Sequence, residues 1–207
     1  DLVRSRGLGD VYKRQAVYHT GNMEVCALTG NKDYLQYSID WADYNQWKGA
    51  TSNNKAEWRS TYGESPEYVL FGDWQVCFQT YADLYKLDPD TIKIARAREV
   101  MEYQMSTSKL DYWHWVDALY MVMPVMVKMY DITKNPLYLE KLHQYLTVTD
   151  SIMYDREVGL YYRDAKYPYP FHKTINGKKD FWSRGDGWAF AAFAKVLKQL
   201  PAEDKYR

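Results

Sequence analysis

Long apolar runs are absent from this chain. No stretch approaches the ~20 consecutive apolar residues that a helix needs to cross a bilayer, so no membrane-spanning helix is expected. Charge of one sign is not in surplus either: Lys plus Arg and Asp plus Glu both number 27 among 207 residues. That balance removes the global basic field of a nonspecific polyanion binder, and nucleic acid is not an expected partner. Cysteine is reduced to Cys26 and Cys77, too few for a zinc framework, and on predicted helices the two read as small buried thiols more than as a disulfide, leaving the redox compartment open. Histidine is scattered, His114 and His172 stand alone, and no metal shell is expected.

The opening residues Asp1 to Gln15 lack the apolar centre of a signal peptide and resemble a read-through or cloning junction. Residues 1–15 are therefore set aside, and residues 16–207 are read as one incomplete helical domain, because the helix ending near Leu200 is expected to lack a partner. Whether the protein is periplasmic or cytoplasmic stays open. What the chain does have is apolar and aromatic content, 46% and 17%, enough for a substantial core.

Apolar periodicity predicts helical hairpins: 22–29 with 33–47, 73–86 with 89–104, and 116–131 with 136–153, followed by a further helix over 187–200. The connections Leu28-Thr-Gly-Asn-Lys-Asp33 and Asp131-Ile-Thr-Lys-Asn-Pro136 echo one another, and each is followed by Tyr-Leu. Units of this size stack into a solenoid or close into a toroid. Joins within hairpins are short, whereas the connections 48–72, 105–115 and 154–186 are long, so function is expected on the long-loop rim. That rim is rich in Trp and Tyr, side chains that stack on sugar faces but also plug helix ends.

Three carboxylates, Asp73, Asp117 and Asp186, enter helices at equivalent ends. Asp117 precedes Ala118-Leu-Tyr-Met-Val-Met, surroundings that can hold a carboxyl group protonated for use as a general acid. An ionised carboxylate satisfied by the free donors of the first helical turn fits the same spacing, and Asp73 in Gly72-Asp-Trp-Gln-Val-Cys77 carries the same two readings. Two such acids allow paired carboxylate chemistry. In Asp180-Phe-Trp-Ser-Arg-Gly-Asp-Gly-Trp188, glycines flank Arg184 and Trp188, an arrangement suited to a bidentate grip on a sugar carboxylate beside a stacking ring, or to a salt bridge beside a core tryptophan.

The segments Gly72 to Tyr81, Trp115-Val-Asp-Ala-Leu-Tyr-Met-Val-Met-Pro124, Gly159-Leu-Tyr-Tyr-Arg163 and Phe181-Trp-Ser-Arg-Gly-Asp-Gly-Trp188 together resemble glycoside hydrolase family 105, the unsaturated rhamnogalacturonyl hydrolases, and more distantly the family 88 unsaturated glucuronyl hydrolases. The resemblance implies an all-α fold, part of an (α/α)6 toroid, with residues 16–207 as an incomplete catalytic domain. It implies release of a 4,5-unsaturated uronic acid from the nonreducing end of lyase-generated oligosaccharides, without metal or organic cofactor. In the family mechanism the acid matching Asp117 protonates C4 of the C4=C5 double bond and helps water add at C5. Asp73 matches a second acid near the substrate. Arg184 and Trp188 match the arginine and the aromatic that shape the sugar subsite, and Trp113, Trp115, Tyr162 and His172 are further candidate contacts. Arg163 stands where some members carry histidine, a departure that bears on substrate choice. Three other readings share these features: a noncatalytic carbohydrate-binding helical repeat, a saturated-glycoside hydrolase, and an α/α-toroid epimerase.

Overall fold

The computed structural model of the chain describes residues 8–207, with side chains described from Tyr12 onward. Among the described residues, secondary structure is helical apart from one short antiparallel hairpin. The helices are α1 (Leu8–Thr29), α2 (Lys32–Tyr44), α3 (Gly72–Gln75), α4 (Cys77–Leu87), α5 (Ile92–Ser106), α6 (Asp117–Thr133), α7 (Leu137–Met153) and α8 (Ser183–Gln199). The two strands are β1 (Tyr154–Asp155) and β2 (Leu160–Tyr161), paired Tyr154 with Tyr161 and Asp155 with Leu160. No helix among the described residues is long and apolar enough to cross a membrane. The chain divides between Gln104 and Met105 into two compact units.

In the first unit α1 packs against its hairpin partner α2 and against α4. The core gathers Trp41, Trp47, Phe78, Tyr81 and Leu84, joined by Cys77, whose thiol is pushed up to about 12 by burial. Helix α1 begins at Leu8, inside the segment set aside on sequence grounds, because polar and glycine-containing residues there hide any apolar period. The long connection 48–72 is held down by α5. Arg96 donates to the carbonyls of Ala50 and Ser52 at 2.9 and 2.6 Å and lies over the Trp58 ring, so Trp58 is a packing residue. Gly49 is required where it stands, since a Cβ there would meet the Trp74 carbonyl oxygen at 2.1 Å.

In the second unit α6 packs against its hairpin partner α7 and against α8. All of Asp117 to Met129 is buried, the signature of a helix apolar on every face and enclosed by its neighbours. Pro124 lies within it and cannot donate the helical hydrogen bond to Tyr120. Both units thus place the first helix of a hairpin against its own partner and against a later helix, α4 or α8, the packing expected of repeated helical pairs.

The echo between connections is structural. At Thr29-Gly30-Asn31 and Thr133-Lys134-Asn135, the threonine hydroxyl donates to the carbonyl four residues back, Val25 and Met129, at 2.8 and 2.7 Å. The middle residue turns left-handed, at φ 68° for Gly30 and 58° for Lys134. The asparagine side chain then accepts from the backbone two residues on, Asp33 and Leu137, at 2.8 and 3.0 Å. Each connection ends one helix and starts the next with the same side-chain bonds.

Candidate active site

Val116 is the point where three segments of the second unit meet. Its backbone N–H donates to the Arg163 carbonyl at 2.9 Å, and Trp115 bridges Asp164. A Cβ on Gly185 would stand 2.5 Å from Val116 Cγ1 and 2.6 Å from Trp182 Cε3, so only glycine lets the first turn of α8 approach the start of α6 this closely. Asp117 follows Val116 directly, in the first turn of α6, and is 6% exposed. Three residues on, Tyr120 packs its ring against Trp188 of α8 at 4.7 Å, with the Lys195 ammonium on Tyr120 at 5.6 Å.

Asp73, Asp117 and Asp186 all lie in the first turn of a helix, as the sequence suggested. Arg184 differs from expectation. It belongs to the first turn of α8, which begins at Ser183 and not at Gly187, because a glycine near a helix start is tolerated where close packing supports it. The Arg184 guanidinium lies over the Trp182 ring at 4.4 Å and the residue is exposed, so its charge is presented to solvent on a fixed aromatic shelf.

Asp186 ties this turn to the β hairpin. Its Oδ1 accepts from the Tyr161 backbone N–H at 2.8 Å, while the Tyr161 hydroxyl donates to Asp150 at 2.6 Å. Burial pushes both carboxyl groups above the ordinary range, opposed by these two donors. Beside them Asp155 accepts from the Tyr162 hydroxyl at 2.6 Å and pairs with Lys179 at 2.7 Å, and those two partners hold its carboxyl down to about 2.

The remaining candidates separate by exposure. Trp113, 2% exposed, packs edge-on against Tyr145, and its carbonyl accepts from Thr149; a ring enclosed in this way serves packing, not stacking on a sugar. Tyr162, 4% exposed, stacks on Phe181 and is spent on Asp155. Trp115 and Trp188 are half-buried and Arg163 is exposed. Half-buried His172 pairs with Asp180 at 2.6 Å and leans on Tyr167. Second-unit packing therefore brings the backbones of Val116, Arg163 and Gly185 together, with Trp115, Asp117 and Arg184 their neighbours in sequence and Trp188 against Tyr120. Asp73 belongs to the first unit, where it is buried in α3 and paired with Lys13 at 3.0 Å. Sequence reasoning missed Tyr120 and Gly185 as parts of this cluster. The spacing of Tyr120 three residues after Asp117 was the available signal for the first, and nothing in the sequence alone pointed to Val116 as the partner of Gly185.

The chain is similar to several known proteins. A solved glycosyl hydrolase family 88 chain from Bacteroides vulgatus is 95% identical, with a TM-score of 0.92, over 100% of this chain and 57% of its own. A solved chain described as a polysaccharide lyase is 71% identical, with a TM-score of 0.91, over 93% of this chain and 54% of its own. The unsaturated 3S-rhamnoglycuronyl hydrolase of Formosa agariphila is 35% identical over 106 residues, which cover 49% of this chain and 28% of that protein. The chain thus spans a little over half of the solved relatives and aligns with about a quarter of the curated one. The family model Glycosyl Hydrolase Family 88 matches residues 11–207, and the chain belongs to that family, whose mostly helical architecture is that of an (α/α) toroid.

Proposed function

We propose that the full-length protein is a hydrolase that releases a 4,5-unsaturated uronic acid from the nonreducing end of oligosaccharides. The observation that carries this reading is the meeting at Val116 of the segments that carry a buried carboxyl, an aromatic pair and a cation: Asp117, Tyr120 with Trp188, and Arg184. Asp117 gives its proton to C4 as the C4=C5 π electrons form the new C–H bond. The positive charge at C5, shared with the ring oxygen, is then taken by water, whose proton returns to the carboxylate. The hemiketal at C5 opens, and the leaving sugar departs with its glycosidic oxygen. Arg184 supplies a planar fork for the uronate carboxylate, and Trp188 offers a ring face to the sugar. The curated relative named as an unsaturated 3S-rhamnoglycuronyl hydrolase supports this chemistry.

A second reading has its own support in the 71% identical chain described as a polysaccharide lyase. A lyase takes the C5 proton and expels the C4 oxygen, creating the double bond that the hydrolase consumes. The two activities have opposite signs in alkene absorbance. Incubation of full-length protein with an unsaturated uronyl disaccharide is expected to lower that absorbance and release the free sugar. A rise in absorbance on an intact uronate-containing oligosaccharide, with the unsaturated disaccharide untouched, would replace the hydrolase reading by the lyase one.

A further inference from the structure

The β hairpin has an edge that its own ladder does not use. Tyr162 donates to the Met153 carbonyl at 2.8 Å, and Tyr161 stands opposite Tyr154. Hydrogen-bonded and non-hydrogen-bonded positions alternate in an antiparallel pair, so the Tyr161 N–H points away from β1. Asp186 Oδ1 accepts it at 2.8 Å. Two residues further on, the Arg163 carbonyl accepts from the Val116 N–H at 2.9 Å. One short segment thus holds both the start of α6, which carries Asp117, and the first turn of α8, which carries Arg184.

The hairpin is a fixed reference for α8. The Tyr161 hydroxyl donates to Asp150 of α7 at 2.6 Å, and Lys179 joins Asp155 at 2.7 Å, so both strands are anchored without Asp186. On α8, Arg184 and Trp188 are four residues apart and share a helix face, while Asp186 between them lies about half a turn away, on the opposite side. The packing of Gly185 on Val116 limits how closely α8 approaches α6, and Trp188 meets Tyr120 through rings. Neither contact has the directional preference of a hydrogen bond. The Asp186 bond has that direction, and it fixes the roll of α8 about its own axis.

We infer that Asp186 is a positioning residue: by holding the Tyr161 N–H it sets the roll of α8 at which Arg184 and Trp188 face the substrate. The inference rests on the proposed hydrolase reading, in which those two side chains take the uronate. A carboxyl at a helix start invites the opposite reading, a second proton-transfer group. The turn needs from Asp186 an acceptor oxygen at that reach and no transferable proton, and asparagine distinguishes the two.

The test measures kcat and KM of full-length protein on an unsaturated uronyl disaccharide, with circular dichroism of each variant. Asp186→Ala removes the acceptor, and KM is expected to rise about ten-fold, the scale of one hydrogen bond to a charged group lost at the uronate. The value of kcat should change little, because Asp117 keeps its own anchor. Asp186→Asn retains an acceptor oxygen at the same reach and is expected to restore most of the parental KM, with the parental pH profile. A folded Asp186→Ala with parental KM overturns the inference. An Asp186→Asn that fails to restore KM, or that loses kcat in the manner of a missing proton-transfer group, overturns it too. If Asp186→Ala does not fold, Asp186→Glu takes its place: the same acceptor on a longer arm displaces the turn, and a parental KM there overturns the inference. If the parent does not turn the disaccharide over, the hydrolase reading fails separately, and tryptophan-fluorescence titration with the same disaccharide decides the positioning role. Weaker binding in Asp186→Ala that Asp186→Asn restores upholds it, and equal or absent binding overturns it.

Discussion

At the scale of single residues, Asp117 and Gly185 carry the two sharpest expectations. Asp117→Asn keeps the size of the side chain but has no proton to transfer, so turnover of an unsaturated disaccharide by full-length protein should fall about 10²–10⁴-fold, the usual worth of a general acid. Steady-state kinetics check this, and matched circular dichroism separates a chemical loss from unfolding. Gly185→Ala sets two effects against each other. Alanine is the better helix residue by about 1 kcal/mol, but its Cβ would meet Val116 Cγ1 at 2.5 Å and the Trp182 ring at 2.6 Å. Overpacking of this kind costs about 1–3 kcal/mol, and neither a stiff valine nor a wedged indole yields easily. The net prediction is a less stable protein in urea denaturation, with lower activity because Arg184 and Trp188 move with the turn. Equal or greater stability would mean that the two helix starts separate freely.

At the scale of elements, the repeated connection and the β hairpin each give a test. Lys134 occupies the left-handed position that glycine occupies in the matching connection, at φ 58°. A non-glycine residue is strained there by about 1–2 kcal/mol, while glycine loses about 0.5–1 kcal/mol more backbone entropy on folding. Lys134→Gly should therefore stabilise slightly, and the exposed pair with Asp131 that it removes is worth little. A rise in melting temperature is the readout. In the hairpin the carboxyl of Asp155 is held down to about 2 by Lys179 and the Tyr162 hydroxyl. A carboxyl whose folded value lies below the unfolded one of about 4 stabilises the fold above that unfolded value and loses the effect as pH falls toward 2. Lys179→Ala should therefore lower the melting temperature near neutral pH, and the gap from the parent should close between about pH 4 and pH 2. A gap constant across that range would remove the ion pair as its cause.

At the scale of the whole molecule, several large apolar side chains are left outside. On α8, Phe190 is 78% and Leu197 41% exposed, one heptad apart on the same helix face, and on α1 and α2 Leu28, Tyr18, Tyr37 and Tyr44 are 55–85% exposed. Exposed apolar side chains on one helix face, such as Phe190 and Leu197, can join in a contact with further protein. The 207-residue chain alone is expected to self-associate as its concentration rises, as seen by light scattering after size exclusion. A strictly monomeric chain at high concentration would show that these side chains are tolerated in water.

Much of this was legible without coordinates. Helical periodicity, short joins and long connections located the hairpins, and the paired Thr-Gly-Asn and Thr-Lys-Asn segments were visible as an echo because capping is local chemistry that a few residues specify. The three carboxylates at helix starts were legible for the same reason. Helix boundaries were less so: α8 starts four residues earlier than predicted, since glycine propensity is local but the contact that overrides it, Gly185 on Val116, is not. Burial was not legible for the aromatics, and Trp113 and Tyr162 resemble rim tryptophans and tyrosines until packing encloses them. By itself the sequence determined the hairpins, their caps and the residue types that carry acid and cationic chemistry, because each depends on neighbours along the chain. Only tertiary structure decided which of those residues meet at Val116, because that meeting depends on close packing between segments separated by tens of residues.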